Sequence, residues 1–459
     1  MPSRPRLTVL LALALPMVLA RATQAAMTFA DAVQVKHLGT DAIAAAATGG
    51  LNTTMFVILP MGITFIVQSF VAQLTGRGER AHTRRFAWYG LGIALAAAIV
   101  AALAIPLVEP ILGLTSYEPR LRDAMASYIV IRLLSVGGAV GTEALGNWYG
   151  GLGNTRMQMI AGIVTMTAAV ALNGVLIDGH LGAPALGVDG AAWACVIATW
   201  LGFGVVAVSF YAGWGGAPPR PARGERAPLH ARELWRVLRF GLPNGVNWLL
   251  EFTAFQMFVN VVVGWLGGTA VAALNIVIAV NSVAFMPAFG LASAGAILAG
   301  QAIGANRRDD VWPIVKLTIG CAMAWMVAIA AAYLVIPHVV IGWFAPDGVD
   351  GVTLVGLGTS MLAVSAVWQV FDATQMTLGE TLRAAGDTAW PAGVRIALAW
   401  GAFAPGSYAV VRYLHGGATG AMACLAGYLA LLAVALAWRF RSGAWRSIEL
   451  IEPKVDAID

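Results

Sequence analysis

The chain has 459 residues, of which 59% are hydrophobic and only 11% charged. A soluble protein carries about twice that share of charge, so the composition excludes an ordinary soluble enzyme. The net charge of +5 comes from basic residues scattered over short loops, which argues against a nucleic-acid partner and for a membrane orientation signal.

Twelve apolar spans are predicted in chain order, each long enough to cross a hydrocarbon core of about 30 Å. The first, Leu7–Val35, follows Arg4 and Arg6 like a signal peptide, but it is too long for a peptide h-region and reads as helix 1. Ile43–Leu74, Phe86–Pro106, Leu121–Tyr149, Met157–Ile177 and Val188–Trp214 complete a first half. The second half comprises Val237–Trp265, Val271–Ile303, Val311–Pro337, Val355–Leu382, Trp390–Val411 and Thr419–Phe440. Pro16, Pro60, Pro243 and Pro287 are the expected kink points. The residues therefore predict an all-α membrane protein. Its first lobe covers residues 1–214, a linker 215–233, its second lobe 234–440 and a tail 441–459.

Arginine and lysine placement sets the orientation. With both termini inside, the inner face gathers Arg77, Arg80, Arg84, Arg85, Arg156, the linker arginines, Arg307, Arg308, Lys316, Arg383, Arg395 and the tail, including Lys454. The outer face keeps Lys36, Arg120, Arg122 and Arg412, a strong positive-inside bias. Arg21 and Arg132 fall within spans and are expected either to pair with acids on other helices or to form a basic patch.

The two halves repeat one another. Leu15-Pro16, Leu38-Gly39, Leu59-Pro60 and Gln73 are echoed by Leu242-Pro243, Leu266-Gly267, Met286-Pro287 and Gln301. Gly39 to Gln73 and Gly267 to Gln301 both span 34 residues. Gly153-Asn154-Thr155 is echoed by Gly386-Asp387-Thr388. Each half holds an even number of helices, so the two lobes share an orientation and a cleft is expected between them.

Two isolated acids carry the functional signal. Glu251 is the only charge between Arg239 and Arg307, and Asp372 the only one between Asp350 and Glu380. An ionisable group within an apolar span is costly and marks an ion or substrate path. Either carboxylate can take H⁺, or supply a hard oxygen ligand to Na⁺; as a metal site, Glu251 and Asp372 matter only in the sodium case. Asn247, one turn before Glu251, is a candidate hydrogen-bond partner for it, while Trp368 and Gln375 flank Asp372 by one turn. Asp31 follows near the outer end of helix 1, with Lys36 as a candidate partner.

The three cysteines and six histidines form no metal or catalytic motif, and no nucleotide-binding loop is present, so an ion gradient rather than a nucleotide is the expected energy source and no cofactor is expected.

The stretch Gly241-Leu-Pro-Asn-Gly-Val-Asn-Trp-Leu-Leu-Glu-Phe-Thr-Ala-Phe255 resembles helix 7 of the multidrug and toxic compound extrusion (MATE) transporters, NorM-like branch. Trp368-Gln-Val-Phe-Asp-Ala-Thr-Gln375, Leu382-Arg-Ala-Ala-Gly-Asp-Thr388, Tyr149-Gly-Gly-Leu-Gly-Asn-Thr-Arg156 and Gly182–Ala192 resemble other parts of that family, in order along nearly the whole chain. The resemblance implies a secondary antiporter that exports amphipathic, usually cationic, compounds against H⁺ or Na⁺. By resemblance, Glu251, Asp372, Asp31 and Asn173 are the cation-coupling residues, and Trp368, Gln375, Asn247 and Phe255 are the residues expected at the substrate. The chain departs from the family at Ala169, Cys195 and Arg21, where polar neutral groups are usual, and at Trp368, which replaces a tyrosine and cannot accept a hydrogen bond. A monomer in the plasma (inner) membrane with both termini cytoplasmic is expected, in contact with lipid and a small amphipathic substrate. A lipid-linked precursor flippase of the same superfamily is the alternative, favoured by a cationic cavity.

Overall fold

A computed structural model describes residues 7–114, 118–182, 184–219, 229–344 and 349–452. Arg4, Arg6, Arg220, Arg223, Arg226 and Lys454, residues 220–228 of the central linker, and the side chain of Lys36 lie outside the described residues.

The described chain is helical. In order it forms α1 (Leu7–Val35), α2 (Thr40–Thr64), α3 (Ile66–Gly76), α4 (Thr83–Ala104), α5 (Val108–Gly113), α6 (Pro119–Leu133), α7 (Val136–Gly151), α8 (Arg156–Leu176) and α9 (Val188–Ala212). There follow α10 (Ala231–Met257), α11 (Gly268–Gly304), α12 (Val311–Val335), α13 (Pro337–Gly342), α14 (Val349–Ala385), α15 (Ala389–Leu398), α16 (Ala404–Arg412) and α17 (Gly417–Arg441). Among the described residues, eleven helices are long and apolar enough to cross a membrane, and twelve when the bent pair α6 and α7 counts as one span.

The fourth span, expected over Leu121–Tyr149, bends by 41° between α6 and α7, at a point not among the expected proline kinks. The cause is local. Ser135 Oγ donates to the Arg132 carbonyl at 2.7 Å, and the Trp200 indole donates to the Leu134 carbonyl at 3.0 Å. The Arg132 carbonyl is thus shared between the hydroxyl and the backbone N–H of Ser135, the Leu134 carbonyl is taken by the indole, and the turn tightens to bonds from Leu134 N to Ile131 O and from Ser135 N to Arg132 O.

The internal repeat has a conformational counterpart. Gly39 and Gly267 cap α2 and α11 with φ of 100° and 99°, ψ of 174° and 167°, a region open only to glycine. Gly153 and Gly386, in the second echo, both take positive φ.

The chain forms two compact units, Leu19–Gly245 and Met1–Val18 with Val246–Asp459. Helices α1 and α10 therefore each begin in one unit and end in the other, and Pro16 and Pro243 stand two residues before the two crossings. In the unit Leu19–Gly245, Trp148, Tyr149 and Phe210 are fully buried, and Trp148 meets the other two rings edge-on at 4.8 and 5.0 Å. There α9 packs against α8 at a glycine: a Cβ added to Gly190 would lie 2.3 Å from the Leu176 carbonyl oxygen, which is backbone and cannot turn aside. Gly190→Leu is expected to destabilise the protein by about 1–3 kcal/mol through overpacking. A lower thermal midpoint in detergent checks this, and an unchanged midpoint contradicts it.

In the other unit α14 packs against α11, α12 and α17. The buried side chains Phe258, Leu362, Leu432 and Leu436 mark its apolar core. Two π-helical stretches interrupt this core, Phe258–Val263 after α10 and Ala399–Phe403 after α15. Their Phe258 and Phe403 rings meet at 5.0 Å. Such wide turns recur at functional sites, and here each begins within two turns of a charged residue, Glu251 and Arg395.

Candidate functional site

Glu251 and Asp372 belong to the same unit, on α10 and α14, and one polar cluster holds both. The Glu251 carboxylate accepts the Tyr428 hydroxyl at 2.6 Å and the Asn247 amide N–H at 3.3 Å. Arg395, on α15, places Nη1 3.5 Å from Glu251 Oε1. The same guanidinium donates from Nη2 to Gln375 Oε1 at 2.5 Å. Gln375 in turn donates from Nε2 to Asp372 Oδ1 at 2.7 Å. A continuous chain thus runs from Tyr428 through Glu251, Arg395 and Gln375 to Asp372.

Helical spacing explains the assembly. Asn247 and Glu251 are four residues apart, and Asp372 and Gln375 three, so each pair shares a helix face. Asp372, Gln375 and Asn247 are buried, while the Glu251 side chain is a third exposed. The cluster holds two carboxylates and one guanidinium.

Of the residues singled out in the sequence, Glu251, Asp372, Asn247 and Gln375 meet here. Trp368 and Phe255 lie instead with the apolar core of the unit, Trp368 buried and Phe255 packed against it. Two members of the cluster escaped the sequence reading. Arg395, assigned there to the inner face, lies within the helical packing against Glu251, its side chain only 16% exposed. It is the only charge between Thr388 and Val411, the criterion that flagged Glu251, so the signal was present. Tyr428 carried no such signal, because one tyrosine in an apolar helix reads as core.

The unit Leu19–Gly245 holds a second polar group. Asn173 donates to Asp31 Oδ1 at 2.6 Å and to Gln34 Oε1 at 2.9 Å. Asp31 and Asn173 are therefore brought together, joined by Gln34. Earlier in α1, Arg21 pairs with Glu143 at 3.0 Å, both side chains at most 10% exposed. The expected acid partner thus exists for Arg21. Arg132 instead lays its guanidinium against Cys195. A cavity of about 420 Å³ opens beside these residues.

Among known sequences, the MatE family model matches residues 16–175 and 247–408, one stretch in each half. The multidrug resistance protein NorM of Burkholderia vietnamiensis is 29% identical over 439 residues, covering 93% of this chain and 92% of that protein. A probable multidrug resistance protein NorM from Pseudomonas putida is 27% identical, covering 97% and 96%. The fold is shared with a transporter of the MOP superfamily from Pyrococcus furiosus, with a TM-score of 0.86, 20% identity and 96% of each chain covered.

Proposed function

Because the chain belongs to the MatE family, we propose that it is a multidrug exporter driven by a cation gradient, an antiporter that works by alternating access. Its NorM-named relatives support the export of drugs or toxic metabolites, and the carboxylates support cationic, amphipathic cargo. The observation that carries the coupling is the cluster joining Glu251, Arg395, Gln375 and Asp372. Two carboxylates against one guanidinium leave a net negative site in an apolar surround. Such a site attracts either the cargo or a small cation, and loading with one weakens its hold on the other. Ligands shift a conformational equilibrium only through unequal affinity for its states, and this competition supplies the inequality.

The donor pattern favours H⁺ over Na⁺. Tyr428, Asn247 and Arg395 all aim N–H or O–H groups at the Glu251 carboxylate, and Gln375 does the same for Asp372. A sodium ion needs several oxygen lone pairs converging on one point, as hard cations do. A proton needs a single carboxylate oxygen. On this reading Glu251 and Asp372 are the proton-exchanging groups, and Tyr428 and Asn247 orient Glu251. Arg395 holds the carboxylates until they are loaded. Asp31 with Asn173 forms a lesser polar site in the other unit.

Ethidium uptake into inside-out proteoliposomes tests the coupling. An imposed pH gradient is expected to drive uptake at sodium concentrations held equal on both sides, and an imposed sodium gradient at equal pH to give none. Uptake driven by sodium alone would reverse the ion assignment. The flippase alternative would leave ethidium unmoved under both gradients.

A further inference from the structure

We infer that the cavity within the unit Leu19–Gly245 is a binding site for the anionic group of an amphiphile, with Arg132 as its recognition residue. This site is separate from the Glu251 cluster, and anion binding there is the same whichever ion drives transport.

What an incoming molecule meets depends on which groups in the cavity wall have hydrogens to give. The wall carries seven hydroxyls, on Thr23, Thr53, Thr54, Ser135, Thr142, Thr165 and Thr199. Each already donates its hydrogen to a carbonyl three or four residues before it, at 2.7 to 2.9 Å. A hydroxyl has one hydrogen, so these seven offer an incoming molecule lone pairs only. The charged groups in the wall are Arg21, Glu143 and Arg132. Arg21 is matched by Glu143, which also accepts from Gln158 at 3.5 Å.

Arg132 is different. Its Nη1 meets the weak acceptor Cys195 Sγ, and its Nε is buried with no hydrogen-bond partner. No ion pair within 4.0 Å joins it to a carboxylate among the described residues. Asp31, the acid whose field reaches Arg132, is hydrogen-bonded to Asn173 instead. A guanidinium is always charged and presents five N–H donors in a planar fork suited to a carboxylate or phosphate. Buried polar groups are ordinarily satisfied, so a cavity-lining guanidinium with an unpartnered Nε and only a weak sulfur acceptor points to a missing partner.

The rest of the cavity fits an apolar body. Ala20, Met27, Val57, Met61 and Ala139 line it, and methionines adapt to varied shapes. Its volume of about 420 Å³ falls within the range for small-molecule sites. Carboxylate and phosphate amphiphiles share the required chemistry, and either a dissolved molecule or a bilayer lipid can supply it.

The test uses the full chain in nanodiscs of zwitterionic lipid, titrated with decanoate, decyl phosphate and decyltrimethylammonium. Decanoate and decyl phosphate are expected to bind, and Arg132→Gln to weaken both at least about tenfold, the scale of one lost charge-assisted hydrogen bond. Arg132→Lys is expected to recover part of the affinity, and binding of the cationic probe to stay unchanged in both variants. A second readout does not rely on altering Arg132. In a Cys321→Ala/Cys424→Ala background, decanoate is expected to slow the alkylation of Cys195 by N-ethylmaleimide, and decyltrimethylammonium is not. Unchanged anion affinity in Arg132→Gln, or equal protection of Cys195 by both probes, would overturn the inference. Adding phosphatidylglycerol to the discs identifies the source: competition with decanoate assigns the site to a lipid, and its absence to a dissolved anion.

Discussion

Cells expressing Glu251→Gln are expected to accumulate ethidium as empty-vector cells do, and those expressing Asp372→Asn to match them. Both replacements keep the shape of the side chain and its capacity to accept, so Tyr428 can still donate to residue 251 and Gln375 to residue 372. Neither replacement carries a charge or exchanges a proton. The competition between cargo and cation then disappears, and with it the inequality that moves the transport cycle. Couplings between sites of this kind are about 1–3 kcal/mol, so efflux is expected to fall about 5- to 150-fold. Thermal midpoints in detergent should stay close to the parent value. Parent-level efflux in both variants would remove Glu251 and Asp372 from the mechanism.

Replacing Arg395 is expected to change the character of the site rather than merely weaken it. Arg395→Met takes away the one guanidinium of the cluster and leaves two carboxylates without a positive partner. Breaking a buried pair by removing one member costs about 3–5 kcal/mol. Glu251 is a third exposed, so water offsets part of that, and a loss of about 1–3 kcal/mol is expected. Removing Glu251 as well should restore part of the stability, because the two residues act as a unit. A double-mutant cycle of thermal midpoints measures that coupling, and strictly additive effects would contradict it. The more telling change is in ion use. With the guanidinium gone, the vacated space beside two carboxylates suits a hard cation, so transport by Arg395→Met should gain a dependence on sodium that the parent lacks.

How far the sequence reaches can be judged residue by residue. The spans were legible because lipid forces long apolar runs, and the repeat because Gly39 and Gly267 must both adopt a conformation closed to other residues. Glu251 and Asp372 stood out because charge is so expensive in those runs. The partners of these acids were less legible, since they come from helices distant in sequence. Arg395 met the same lone-charge criterion but was absorbed into a count of basic residues at the inner face. Tyr428 lies 177 positions from Glu251, and only packing brings its hydroxyl to the carboxylate.

The bend between α6 and α7 arises from Ser135 and Trp200 competing for carbonyls. Ser135 with Gly137 and Gly138 marks the place locally, but nothing there names Trp200, 66 positions beyond Leu134, as the second donor. The π-helical turn Ala399–Phe403 has a local mark in Gly401 and in Pro405 just beyond it, whereas Phe258–Val263 carries only Asn260 in an otherwise apolar run.

The proposed coupling requires protons and cationic cargo to compete for one set of carboxylates. Adding ethidium to the purified protein in a weakly buffered solution, with the pH recorded, tests it without any need for transport. Binding is expected to release protons in the parent and none in a Glu251→Gln/Asp372→Asn double variant. Ethidium binding with no proton release from the parent, across the whole pH range in which it is active, would contradict the competition.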